Sequence, residues 1–277
     1  MSVLLTDTPL PGVRRLTLNR PEKRNALNNE LRSAIFVALE AHDSDPDVRL
    51  TIIRGAGPAF CSGYDLSADN RIGQPYHSAS GLGQWSRHVV EGWFRVWDLA
   101  KPVIAQVHGY CLAGGTELAT ACDLVYVADD AQIGYPPVRL MSPPDMQFHP
   151  WLMGMRQAME SMLTGDALCG RDAAAKGWAT RSYPAADLER EVLAIAERVA
   201  KLPTELAQIN KRSVHRAMEI AGLRAAIRAG TEIQALAFQT EPSKEYMSRF
   251  RRDGKSVSSL LSERDTRFGD YRERGDG

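Results

Sequence analysis

A pair of glycines followed by a glutamate marks the stretch best suited to chemistry, KPVIAQVHGYCLAGGTELATACD over residues 101–123. Residues 103–107 form a short apolar run behind Pro102 and predict a buried strand. His108-Gly109 breaks that run, and Gly114-Gly115 opens a helical pattern reaching Cys122. A helix N-terminus presents unpaired backbone N–H groups and the positive end of the helix dipole. Glycine leaves no Cβ between that backbone and an approaching atom. The combination suits an oxygen that gains negative charge during a reaction. Glu117, in the first helical turn, can give or take a proton beside the same point. Gly-Gly pairs also serve as plain turns and first-turn glutamates as plain dipole partners, so a second element has to support the chemistry.

That element is GAGPAFCSGYDL at residues 55–66, a glycine-punctuated loop directly after the strand-like VRLTIIR of residues 48–54. Two strand ends, each followed by a loop offering N–H groups, are what an oxyanion site requires, because its two donors converge from separate segments.

The elements that must position these loops follow from periodicity. Residues 3–5 and 13–18 read as a hairpin, and residues 19–28 as a polar loop. Asn28 is the expected cap of a helix over 29–41, with Leu31, Ile35, Ala38 and Leu39 on its apolar face. Residues 67–84 are polar and glycine-rich and read as a mobile loop or lid. Residues 85–99 read as a helix whose Trp93 belongs to the core. Strands are expected at 124–127 and 131–133, then a proline-rich loop over 134–150. Helices follow to the end, at about 153–163, after Arg171-Asp172, and over 186–201, 204–221, 223–239 and 240–250. The charged tail reads as disordered. Alternating strands and helices predict an α/β fold with parallel pairing, and the helical C-terminal part covers the core or mediates assembly.

Composition narrows the function. The 277 residues carry 34 basic and 34 acidic side chains, so no charge surplus points to nucleic acid or an anionic membrane. No apolar run approaches a membrane span, and the first residues lack a secretory pattern, so the cytoplasm is the expected compartment. Cys61, Cys111, Cys122 and Cys169 form no CxxC pair, and the six histidines form no ligand pair, so neither a disulfide framework nor a metal site is expected.

Five spaced segments resemble the crotonase (enoyl-CoA hydratase/isomerase) superfamily in order: RPEKRNALN at 20–28, GAGPAFCSGYDL at 55–66, residues 101–134, LTGDALCGRDAAAKGWA at 163–179 and FQTEPSKEYMSRF at 238–250. The resemblance implies a spiral of ββα units over residues 1–200 and a helical trimerisation region over 201–260, leaving 261–277 as the disordered tail. It implies a homotrimer or a dimer of trimers. It implies an acyl-CoA substrate, with coenzyme A part of that substrate and no separate cofactor or metal. The thioester oxygen would be held by the N–H groups of Tyr64 and Gly114. Ser62, Asp65, Leu66 and Ser67 would line the bound CoA, and Lys23 or Arg24, with Lys255 from a neighbouring subunit, would meet its phosphates.

Hydratases of this family use two glutamates. Glu117 matches the first, whereas Pro137 stands where the second belongs and cannot move a proton. Asp145, eight residues on, is the expected replacement, because dienoyl-CoA isomerases of the superfamily place an Asp in this region. His149 and Tyr135 are weaker candidates. The expected activity is hydration of a 2-enoyl-CoA. Isomerisation, hydrolysis or decarboxylation of an acyl-CoA is the alternative that Pro137 raises, and a non-catalytic acyl-CoA binder is the other.

Overall fold

Apolar runs recurring along the chain build the frame, each run adding one parallel strand to a buried sheet. A computed structural model describes residues 2–70, 72–252 and 256–269. The chain starts with a hairpin, β1 (Leu4–Leu10) and β2 (Val13–Leu18), then α1 (Asn29–Ser44). Asn28 caps α1 as expected, its side chain accepting from the Leu31 N–H at 2.9 Å. Next come β3 (Leu50–Gly55), β4 (Ala59–Cys61) and α2 (Gln84–Trp97). The pattern repeats as β5 (Val103–Val107), β6 (Tyr110–Leu112) and α3 (Gly114–Ala121). A third pair follows, β7 (Leu124–Ala128) and β8 (Gln132–Gly134).

In each repeat the longer strand enters one sheet and the short strand another. The larger sheet runs β1-β2-β3-β5-β7 and ends on β10 (Arg181–Tyr183), and every pair after the hairpin is parallel. The smaller sheet runs β4-β6-β8 and closes on β9 (Leu168–Cys169). This is the α/β spiral of ββα units that the sequence predicts. The short strands of the smaller sheet were expected only at residues 131–133.

The remaining helices are α4 (His149–Thr164), α5 (Gly170–Ala175), α6 (Leu188–Ala200), α7 (Thr204–Ile220), α8 (Leu223–Ala237), α9 (Glu241–Arg252) and α10 (Val257–Phe268). Two expectations need correction. The 134–150 loop contains a 3-10 turn at Pro136–Arg139, and α4 begins at His149. Residues 261–268 are helical rather than disordered. Their charges are used inside: Arg264 and Asp265 are buried and paired, and Asp265 reaches Arg139 at 3.3 Å. No helix among the described residues is long and apolar enough to cross a membrane.

The smaller sheet fixes where the two glycine loops meet. Cys61 pairs with Cys111, so residues 62–66 and 113–115 leave adjacent strand ends on the same side. Gly115 makes the approach possible, because a Cβ there would stand 2.4 Å from the Cys61 carbonyl oxygen. Helix propensity alone predicts that Gly115→Ala stabilises the protein by about 1 kcal/mol. The clash with backbone is the larger effect, so Gly115→Ala should instead cost about 1–3 kcal/mol. A lowered urea midpoint checks this, and an unchanged or raised midpoint contradicts the contact.

Candidate functional site

Backbone alternation aims the first donor. Leu27 N–H donates to Gly63 O at 2.8 Å, and Asp65 N–H donates to Leu27 O at 2.9 Å. In this short parallel bridge the intervening Tyr64 N–H points away from Leu27. Gly63 takes φ +101°, and a Cβ on it would meet Ala113 Cβ at 2.8 Å and Gly114 N at 3.2 Å. The two loops are therefore in contact at Gly63 and Gly114. Ala113 holds φ 49° and ψ −123°, a conformation costly for a residue with a side chain. Its N–H donates to Gly134 O, and its carbonyl accepts from Thr116 N–H and Oγ1, which lock the turn. Among the described residues neither the Tyr64 nor the Gly114 N–H has a protein acceptor.

Glu117 is 1% exposed, and four donors surround its carboxylate. Tyr64 Oη donates to Oε2 at 2.7 Å, while the N–H groups of Asp145 and Met146 donate to Oε1 at 2.8 and 3.4 Å. The Tyr135 hydroxyl is the fourth. Trp93 Nε1 donates in turn to Tyr64 Oη at 3.0 Å. Burial nonetheless raises Glu117 above its ordinary carboxyl range. Asp145 is equally buried, its carboxyl facing Ser86 and Gln234, with Oδ1 lacking any partner among the described residues. Burial first and the Glu117 charge second push Asp145 well above the carboxylate range. Glu117 has more donors, so it is the better carboxylate of the pair.

The structure thus brings together Tyr64, Gly114, Glu117 and Asp145. Tyr135 joins them. His149 does not: no hydrogen bond or ion pair among the described residues links it to Glu117 or Asp145, and burial lowers it to about 4. Cys61 lies beside the loop, but burial raises its thiol to about 12, so it is no nucleophile at neutral pH. Asp65 serves the scaffold, binding Arg20 at 2.8 Å and the Ser67 N–H at 3.0 Å. Ser62 ties the same loop to residues 23 and 24: its N–H donates to Arg24 O and its hydroxyl to Lys23 O. Lys23 and Arg24 are exposed there, as is Ser67, and Leu66 is half-buried. Lys255 lies outside the described residues. Two cavities, of about 420 and 270 Å³, are lined by other residues, such as Lys211 and His215 in one and Val138 and Met162 in the other.

Sequence reasoning used Tyr64 for its backbone alone and missed its side chain. The signal was an aromatic residue between Gly63 and Asp65 in a loop built for close approach. Trp93 was expected only as core. Ser86 and Gln234 gave no local signal.

A spiral of ββα units whose adjacent strand ends bring two free amides beside a buried glutamate defines a recognisable class of protein. The sequence profile of the family described as enoyl-CoA hydratase/isomerase matches residues 10–257, and the chain belongs to this family. It is similar to the mitochondrial enoyl-CoA hydratase of Pongo abelii, 31% identical over 239 residues that cover 85% of this chain and 79% of the relative. Among solved structures, an enoyl-CoA hydratase/isomerase from Xanthobacter autotrophicus Py2 is 35% identical with a TM-score of 0.86, covering 97% of this chain and 99% of that one. An enoyl-CoA hydratase from Mycobacterium smegmatis is 28% identical with a TM-score of 0.88, covering 99% and 97%.

The buried Asp145 gives a signed pH dependence. Its carboxyl value in the fold lies above the ordinary 3.8. Stability from this group is therefore full below the unfolded value and is lost as pH rises toward the folded one. Asp145→Asn removes that loss. The Tm of the variant relative to the wild type should climb steadily from pH 4 to pH 8, by at least about 3 °C in total. A difference that stays constant with pH contradicts the buried, proton-holding Asp145.

Proposed function

We propose that the protein acts on an acyl-CoA by stabilising negative charge on the thioester oxygen, and that its reaction is hydration of a 2-enoyl-CoA. What carries this reading is the buried carboxyl pair, Glu117 and Asp145, beside the unengaged amides of Tyr64 and Gly114. Water oxygen would bond to the β-carbon while a carboxylate takes the water proton. The electron pair of the double bond moves to the thioester oxygen, where the two N–H groups hold it. A carboxyl then delivers a proton to the α-carbon. Glu117 is the carboxylate and Asp145 the proton holder at the start. The Tyr64 hydroxyl, raised well above its ordinary value by burial, stays protonated and yields Oε2 to the substrate.

Isomerisation is the second reading. Pro137 removes the usual second glutamate, and Asp145 can accept and return a proton without consuming water. We also propose that Lys23 and Arg24 meet the CoA phosphates, with Ser62 holding their loop against residues 62–66. Self-association through the helical region, as a trimer or two trimers, is supported by the apolar side chains exposed on α7 and α8, including Ile209, Ile220 and Leu236. The cytoplasm remains the proposed location.

Incubation with a panel of 2-enoyl-CoAs in ¹⁸O-labelled water separates the readings. Hydration adds one labelled water to the product mass, whereas isomerisation moves the double bond at constant mass. Glu117→Gln should lower turnover by about 10²–10⁴-fold while acyl-CoA binding persists. Full activity in that variant would remove Glu117 from the chemistry.

A further inference from the structure

Arg32 on α1 has no exposed surface, and among the described residues no acid lies within ion-pair distance of it. Nη1 donates to Asn29 Oδ1 at 3.0 Å. Nε and Nη2 have no hydrogen-bond partner among the described residues. Elsewhere in this molecule the same edge of a guanidinium holds a carboxylate through two bonds. Arg15 does so with Asp7, Arg228 with Glu91 and Arg264 with Asp265. That edge matches the two oxygens of a carboxylate in spacing and direction. A buried arginine with this edge unmet carries a large desolvation cost, which the more distant charge of Asp145 and the neighbouring Tyr76 hydroxyl offset only in part.

The surroundings of Arg32 are aromatic. Its Cζ lies 5.9 Å from the Tyr64 ring centroid and 5.5 Å from that of Trp85. Aromatic faces attract the cation but accept its N–H groups only weakly. The Tyr76 hydroxyl lies beside the guanidinium and donates to His88 O. His88 adds no charge, since burial and Arg32 itself lower it to about 4. Asp145 feels the Arg32 charge across the cluster, but its carboxyl faces Ser86 and Gln234.

One ring connects this cation to the acid/base centre. Tyr64 donates to Glu117 at 2.7 Å from its hydroxyl end while Arg32 stands against its ring. We propose that the Nε/Nη2 edge of Arg32 binds a second carboxylate on the acyl chain, so that the preferred substrates are mono-CoA thioesters of short dicarboxylic acids. The assignment rests on the acyl-CoA reading above. A CoA phosphate is the other anion available. The buried position of Arg32, one ring from Glu117, favours the acyl end over the exposed loop of Lys23 and Arg24.

The test compares matched pairs on the wild-type enzyme: succinyl-CoA against butyryl-CoA and glutaryl-CoA against pentanoyl-CoA by calorimetry, then 2-enoyl-CoAs with and without a terminal carboxylate by kinetics. The carboxylated member should bind on the order of 100-fold more tightly, because losing it leaves the buried edge unpaired. Arg32→Met should collapse the ratio of kcat/KM between the members to below one, mainly through KM, and Arg32→Lys should restore part of it. Equal binding of both members by the wild type overturns this assignment alone and leaves the acyl-CoA reading standing. An equal loss on both members in Arg32→Met, the signature of a phosphate contact, also overturns it. Failure of every member to bind overturns the acyl-CoA reading and this assignment together.

Discussion

Two segments pass so closely at Gly63, Gly114 and Gly115 that a Cβ on any of these glycines would clash, at Gly114 with the Tyr64 ring, and the site is arranged around that passage. The register of the smaller sheet sets it, since Cys61 beside Cys111 leaves the two loops no other course. Ala113 sits in a strained turn there, held by bonds from Thr116 and to Gly134. Strain of this kind persists only when its surroundings over-determine it, and here they direct an amide outward at the start of α3. The rest of the spiral is a frame that holds two strand ends in step.

Charge is the second constraint. Glu117, Asp145 and Arg32 are all buried within one cluster whose links are Tyr64, Ser86, Gln234 and Trp85. Groups like these cost stability unless each finds partners. Glu117 finds four donors. Asp145 and Arg32 keep unpaired atoms. Folding stability alone would favour apolar residues in their place, so their presence points to a molecule that completes them. This is the expected trade between a stable interior and a working one.

Much of the frame was legible in the sequence because local periodicity encodes it. Residues 103–107 and 124–127 are mostly apolar and became central strands, and the Asn28 cap announced α1. The three-residue strands at 59–61 and 110–112 were not legible, because non-local pairing rather than their own pattern makes them strands. Charged residues misled at the C-terminal end. Arg264 and Asp265 read as a solvated tail, yet they are buried as a pair against Arg139. Arg32 lies off the apolar face formed by Leu31 and Ile35, yet α2 and its aromatics cover it. The backbone donors and Glu117 were readable from glycine placement. Asp145 came from family likeness, since nothing in PPDM foretells a buried carboxyl.

The most direct test of the central claim is the vibrational spectrum of the thioester carbonyl in a bound, carbonyl-¹³C-labelled acyl-CoA, measured as an isotope difference. Two backbone N–H groups converging on that oxygen polarise the bond, so its stretch should fall clearly below that of the same ester free in water. A carbonyl stretch at or above the aqueous frequency, in a complex shown by calorimetry to be saturated, would contradict the convergence of Tyr64 and Gly114 on one oxygen.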